Sequence, residues 1–142
     1  MQQSGYDPPL NWVDAWLLAV LTNYRWRWSR PLKLWRLIDL SDVLFRGEAS
    51  FDDVSFALPR LLAAGLIDVD RDKSGELQFK GTRAAFALKA RAKGKDGPMR
   101  RFAQAVGAQP YPDGDDGNRS LGRYPDLTAR DWAKVRQRLD HT

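Results

Sequence analysis

Between Trp12 and Asn23 nearly every position is apolar: Trp12, Val13, Ala15, Trp16, Leu17, Leu18, Ala19, Val20 and Leu21. A helix without a polar face must be covered on more than one side. This segment is therefore expected either at the centre of the monomer or partly in a dimer interface. Asn11 and Asp14 have the spacing of a capping box, with the carboxylate at the positive helix end. A second helix is expected from Pro31, which suits a first turn, through Leu34, Trp35, Leu37, Ile38, Val43 and Leu44 to Arg46, with Gly47 as its stop. An irregularity in the period at Asp39–Asp42 predicts a break into two pieces. The intervening YRWRWSR, residues 24–30, alternates aromatic and basic side chains. It reads as a connector with Trp rings over the core and Arg side chains stacked on them. A nucleic-acid surface of stacking aromatics is the other reading, and no nucleotide-specific pattern accompanies it.

The third helix has a clear start, Ser50 with Asp53 three residues on. At 100° per residue Phe51, Val54, Leu58, Leu61 and Leu62 fall on one stripe. Gly65 is the expected stop. Pro59 removes the amide that would bond the Ser55 carbonyl, a loss of roughly 3 kcal/mol in an isolated helix, so a kink and offsetting tertiary packing are expected. The pattern then changes to period two. LIDVDR (66–71) and ELQFK (76–80) alternate apolar and polar positions around Asp72-Lys73-Ser74-Gly75, a hairpin signature. Gly81-Thr82 opens a fourth helix with Ala84, Ala85, Phe86 and Leu88. Residues 93–126 are rich in Gly, Pro, Asp and Arg and read as an irregular connector, with a short helix at Met99–Val106. Thr128 and Asp131 cap a last helix to about Leu139, whose apolar contacts are Trp132, Val135 and Leu139. Met1–Leu10 is polar and Pro-interrupted and reads as a flexible N-terminus.

Charge changes this picture in one place. The net +5 is not spread evenly: residues 1–82 hold ten Lys/Arg against eleven Asp/Glu, residues 83–101 seven against one, and residues 102–142 six against six. The whole basic excess lies after the hairpin, a distribution that fits an anionic partner, nucleic acid first; a solvated helix end and linker is the other reading. The chain has no Cys, which excludes disulfides, thiolate metal sites and a Cys nucleophile. Its single His, His141, is the penultimate residue, a poor foundation for a catalytic dyad or zinc site. No charged n-region precedes an apolar run, and Trp12–Leu21 is too short to span a bilayer. A cytoplasmic protein with no membrane contact is expected.

Other motifs do not survive inspection. Asp70-x-Asp72-x-Ser74-Gly75 starts like a calcium loop, but the twelfth position, where a bidentate Glu is needed, is Gly81. Asp113, Asp115 and Asp116 fail likewise, with Tyr124 at the twelfth. Gly94-Lys95 lacks the glycine spacing of a phosphate loop, and no G-x-S-x-G occurs. Asp52 and Asp53 sit at a helix start, where carboxylates serve the dipole and the cap. No enzyme, cofactor or metal is expected.

The string FALPRLLAAGLIDVDRDKSGELQFKGT resembles winged-helix domains of the MarR and PadR type. In these a reading helix ends in a motif like L-x-x-x-G-L-I, a hairpin wing follows, and a Thr-containing turn opens the next helix. The matching residues are Leu61, Leu62, Gly65, Leu66 and Ile67, the tip Lys73-Ser74-Gly75, and Thr82. The chain is also similar to a widespread group of bacterial single-domain proteins, of no assigned activity, that carry a D-x-L…F-x-L-x-R-L-x-x-A-G-L pattern. The resemblance covers about residues 12–90. It implies a mainly α fold with a small β-hairpin: a winged helix-turn-helix over 11–92, extended by a connector over 93–126 and a C-terminal helix over 127–142.

The resemblance and the charge together imply a DNA-binding transcription regulator. Its phosphate contacts would come from Arg71, Lys73, Arg83, Lys89, Lys93, Lys95, Arg100 and Arg101, and its base contacts from Ser55 and Arg60. A homodimer through the first helix and the Trp132 helix is expected. The third helix complicates this, because its outer face is centred on Phe56 and carries Asp52 and Asp53. Carboxylates at a groove-facing helix start are repelled by phosphate, and an exposed apolar centre points to coverage by another element. The alternative is therefore a winged-helix protein-interaction module that uses Asp52, Asp53 and Phe56.

Overall fold

The structure, a computed structural model, describes residues 6, 9–23, 31–45, 47, 49–91, 97–107 and 121–140. Among them the chain is mainly helical, with one small antiparallel sheet. The order is α1 (Trp12–Asn23), β1 (Leu32–Lys33), α2 (Leu34–Phe45), α3 (Phe51–Ala63), β2 (Ile67–Arg71), β3 (Leu77–Gly81), α4 (Arg83–Arg91), α5 (Pro98–Ala105) and α6 (Ala129–Asp140). The sheet order is β1-β3-β2, with Leu32 opposite Phe79 and Val69 opposite Phe79 on the other side.

α1 is the central helix. It packs against α2, α3, α4, α5 and β3, and Ala15, Leu18, Ala19 and Val20 are fully buried. This resolves the all-round apolar pattern in favour of the monomer core. Among the described residues, Trp12 is the partly exposed position on this otherwise buried helix. The capping box forms as expected: the Asn11 N–H donates to Asp14 Oδ2 at 2.9 Å and the Asp14 N–H to Asn11 Oδ1 at 3.1 Å. Lys89 of α4 donates to the Thr22 carbonyl at the other end of α1.

Two expectations about α2 are corrected. Pro31 does not open the helix; Leu32 and Lys33 pair with β3 first, and the helix begins at Leu34. A two-residue strand leaves no period-two signature in the sequence. Nor does α2 break at Asp39–Asp42, because the Ser41 hydroxyl donates to the Ile38 carbonyl at 2.7 Å and accepts from the Ala49 N–H, absorbing the irregular position into the core.

α3 ends as its sequence requires. Gly65 takes φ +72°, and the Leu66 and Gly65 N–H groups return to the Leu61 and Leu62 carbonyls at 3.1 and 3.0 Å, a Schellman-type stop. The Thr82 hydroxyl donates to the Gly65 carbonyl at 2.7 Å and its N–H to the Leu66 carbonyl, so the turn that opens α4 is stitched to the end of α3. In the hairpin Leu77, Phe79 and Gly81 face the core, while Gln78 and Lys80 are only partly covered. α5 belongs to the core rather than to a connector: Phe102 and Val106 are buried against α1 and α4. At the N-terminal end Leu10 is fully buried.

Candidate nucleic-acid interface

The face of α3 expected to read bases is not available. Ser55 is 0% and Arg60 1% exposed. Arg60 points inward and makes a bidentate ion pair with Asp14, Nε to Oδ2 and Nη2 to Oδ1, both at 2.8 Å. Burial pushes the Asp14 carboxyl above its ordinary value, while the hydrogen bonds and charge of Arg60 pull it down. This pair joins α1 to α3 and keeps both groups out of reach of a duplex. Base reading by Ser55 and Arg60 is corrected on this ground.

Phe56 is not exposed either; it is 4% accessible. What covers it is a segment far along the chain. The Arg123 guanidinium carbon lies 4.5 Å from the Phe56 ring centroid and 5.2 Å from that of Phe51. Arg123 Nη2 pairs with Asp52 Oδ1 at 2.8 Å. Trp132 of α6 meets Phe51 with centroids 5.6 Å apart and planes tilted by 58°. The exposed-face expectation for Phe56 thus fails, although the inference that an apolar centre must be covered holds. Asp53 serves the helix cap, accepting from the Ser50 N–H while its own N–H donates to the Ser50 hydroxyl.

The backbone makes the most specific contact. Pro59 has no N–H, so the Ser55 carbonyl lacks its helical donor. The Tyr124 N–H supplies it at 2.8 Å. A carbonyl orphaned by the sequence of α3 is satisfied about seventy residues later, which is the tertiary compensation that Pro59 demands.

The hairpin is tied to the same segment. Arg71 donates to both carboxylate oxygens of Asp131 at 3.1 Å, to the Asp126 carbonyl and to the Gly75 carbonyl, both at 2.6 Å. Arg71 is thereby held by its own chain rather than presented to phosphate, and the Asp131 carboxylate raises its already high pKa. Burial pushes the Asp131 carboxyl up, but Arg71 and the Thr128 N–H and hydroxyl outweigh it and leave it below its ordinary value. At the turn, Asp72 Oδ1 accepts from the Ser74 hydroxyl and N–H and from the Glu76 N–H. These bonds, the Ser74 hydroxyl foremost, lower the Asp72 carboxyl to about 2. Lys33 lies 3.5 Å from Asp72 and 3.4 Å from Glu76.

The remaining basic positions lie on α4, α5 and the hairpin tip. Lys73, Arg83, Arg91 and Arg100 are exposed, and Arg101 is half-buried. Lys89 is partly buried and donates to the Thr22 carbonyl, so its ammonium caps the end of α1, and burial, with Arg101 nearby, lowers its pKa. Lys93 and Lys95 lie outside the described residues, as does 24–30. No acidic residue occurs in α4 or α5. Among the described residues there is no cluster of metal-ligating side chains, and no helix is long and apolar enough to cross a membrane.

Sequence reasoning missed Arg123 and Tyr124, and it gave Asp131 its capping role but not its pair with Arg71. The signal for a donor to the Ser55 carbonyl was present in Pro59, but nothing local identified which N–H would come. No family model, curated protein or solved structure matches the chain.

Proposed function

We propose that this chain is a winged-helix nucleic-acid-binding protein, a cytoplasmic transcription regulator, that grips the phosphate backbone through α4, α5 and the hairpin tip instead of reading bases with α3. The observation that carries the proposal is a pair of coincident features. The order α1-β1-α2-α3-β2-β3 with a β1-β3-β2 sheet supports the winged-helix reading, with the hairpin as the wing. Directly after it, α4 and α5 hold Arg83, Arg91 and Arg100 at the surface with no acidic residue on either helix. Such a surface neutralises phosphates without sequence information. The protein is accordingly a backbone binder of low sequence preference.

The test is fluorescence anisotropy on mixed-sequence duplex DNA over a salt series. Each phosphate contact contributes about 0.9 to the slope of log K against log salt. Arg91→Ala and Arg100→Ala should each flatten the slope by roughly one unit, whereas Asp52→Ala should leave the slope unchanged. Absence of binding at low salt overturns the proposal. The alternative, a protein-interaction module, would act through α3, where Asp52 remains at the surface and Phe56 is already taken.

A further inference from the structure

A small cavity lies between α2, the hairpin and α6. Its apolar floor is formed by Leu34, Leu77 and Val135, all buried. Two polar atoms of its lining side chains are buried and make no hydrogen bond: Nε1 of Trp35 and Oε2 of Glu76. The indole nitrogen can only donate, and the carboxylate oxygen can only accept. The Glu76 oxygen has ion-pair contact with Lys33 at 3.4 Å, which tempers its charge without supplying a hydrogen bond. Buried polar groups are hydrogen-bonded in the great majority of cases. An unmet donor and an unmet acceptor on one cavity therefore call for a group that offers the opposite of each.

Charge and size narrow the choice. α6 turns Asp131, Lys134 and Arg138 to this cavity, as a spacing of three and four residues requires on one helix face. Asp131 is held by Arg71. Lys134 and Arg138 are exposed at the rim, and among the described residues neither has an ion-pair partner. The Arg138 guanidinium carbon lies 4.2 Å from the Trp35 ring centroid, which sets a cation beside the indole. The lining thus carries two cations, Lys134 and Arg138, and two carboxylates, Glu76 and Asp131. A simple anion would face both carboxylates and a simple cation both basic groups. A zwitterion finds an opposite charge at each of its ends. The cavity measures about 40 Å³, space for about three waters at roughly 10–15 Å³ each. It takes a head group of a few atoms, and the rest of a larger ligand must leave through the rim.

We propose that this cavity binds the head group of a free α-amino acid, with the carboxylate accepting from the Trp35 indole N–H beside Arg138 and Lys134, and the ammonium donating to Glu76. Recognition rests on the two charged groups that all such molecules share, so small amino acids are distinguished only weakly from one another. Neither half of the head group suffices, because each satisfies one wall and leaves the other unmet. The inference stands apart from the nucleic-acid reading, because none of these side chains belongs to the phosphate-binding surface on α4 and α5.

Glycine is the probe, titrated into the full-length, nitrogen-labelled chain. The Trp35 indole N–H is followed by NMR, its signal assigned with Trp35→Phe. A ligand this small should bind with a Kd of about 1 mM and shift that signal saturably. Acetate, which lacks the ammonium, and methylammonium, which lacks the carboxylate, should each bind at least about tenfold more weakly. Glu76→Gln should weaken glycine by about tenfold and leave acetate unchanged, whereas Arg138→Gln should weaken both. The Glu76 and Arg138 side chains both reach solvent, and an otherwise unchanged spectrum shows that each variant is folded. An indole signal that does not move up to about 100 mM glycine overturns the inference. So does acetate that binds the wild-type chain as tightly as glycine, because Glu76 then takes no part.

Discussion

Arg60→Met is the most informative single perturbation of this fold. It removes one side of an ion pair in which both side chains are fully buried. Two charge-assisted bonds of 2.8 Å are lost, and Asp14 is left as a carboxylate in the core beside the Asn11 N–H. Breaking a buried pair in this way costs about 3–5 kcal/mol, against a total of about 5–15 kcal/mol for a domain. At roughly 3 °C per kcal/mol for a chain of this size, the midpoint should fall by about 10–15 °C. Asp14→Leu should cost as much, because it strands the guanidinium. The double variant strands neither charge and loses mainly the α1 cap, about 1 kcal/mol. The two single costs therefore sum to several kcal/mol more than the double cost. Urea unfolding followed by circular dichroism, with a common m-value, gives all three numbers. A single-variant cost below about 1 kcal/mol, or additivity in the cycle, would refute the reasoning, because the pair would then be solvated.

Three further outcomes follow from the same contacts. Asp72 is held at about 2 against an ordinary 3.8, so its contribution to stability is full above 3.8 and is lost as pH falls through about 2; Ser74→Ala should move its NMR titration back toward 3.8, and an Asp72 that titrates there in the wild-type chain contradicts the hairpin geometry. Asp131→Asn should cost up to about 1 kcal/mol, since the pair with Arg71 is partly exposed, and should speed hydrogen exchange in α6; unchanged exchange there would mean that Arg71 does not hold α6 in place. Phe102→Ala should cost about 3–5 kcal/mol, because Phe102 is 1% exposed in a helix that looks like linker in the sequence; a cost below about 1 kcal/mol would return α5 to the status of a connector.

The parts of the fold legible in the sequence are those whose signals are local. Ser50 with Asp53, Gly65, the Asp72–Gly75 turn and Thr128 with Asp131 are each satisfied within a few residues, and each forms at its expected place. The parts that were not legible depend on distant partners. β1 exists only because Leu32 and Lys33 meet Phe79 and Gln78. Arg60 is polar by composition and would be placed at the surface by pattern alone, yet Asp14 draws it inward. Phe56 sits on the side of α3 opposite the apolar stripe, and periodicity carries no information about a covering segment that arrives only with Arg123. The candidate site was readable as charge, in the basic excess after the hairpin. It was not readable as geometry, since Lys89 and Arg71 are spent on a carbonyl and a carboxylate of their own chain.

The bond from Tyr124 to Ser55 also imposes an order of events during synthesis. α3 leaves the ribosome long before its donor does. At about 5–20 residues per second, the Ser55 carbonyl waits several seconds for the Tyr124 N–H. Throughout that interval Phe51 and Phe56 have no Arg123 or Trp132 above them. The newborn chain thus holds out an apolar, proline-weakened helix of the kind that chaperones shield from aggregation. The later segment that carries Arg123, Tyr124 and Trp132 is the cover that ends that vulnerable period.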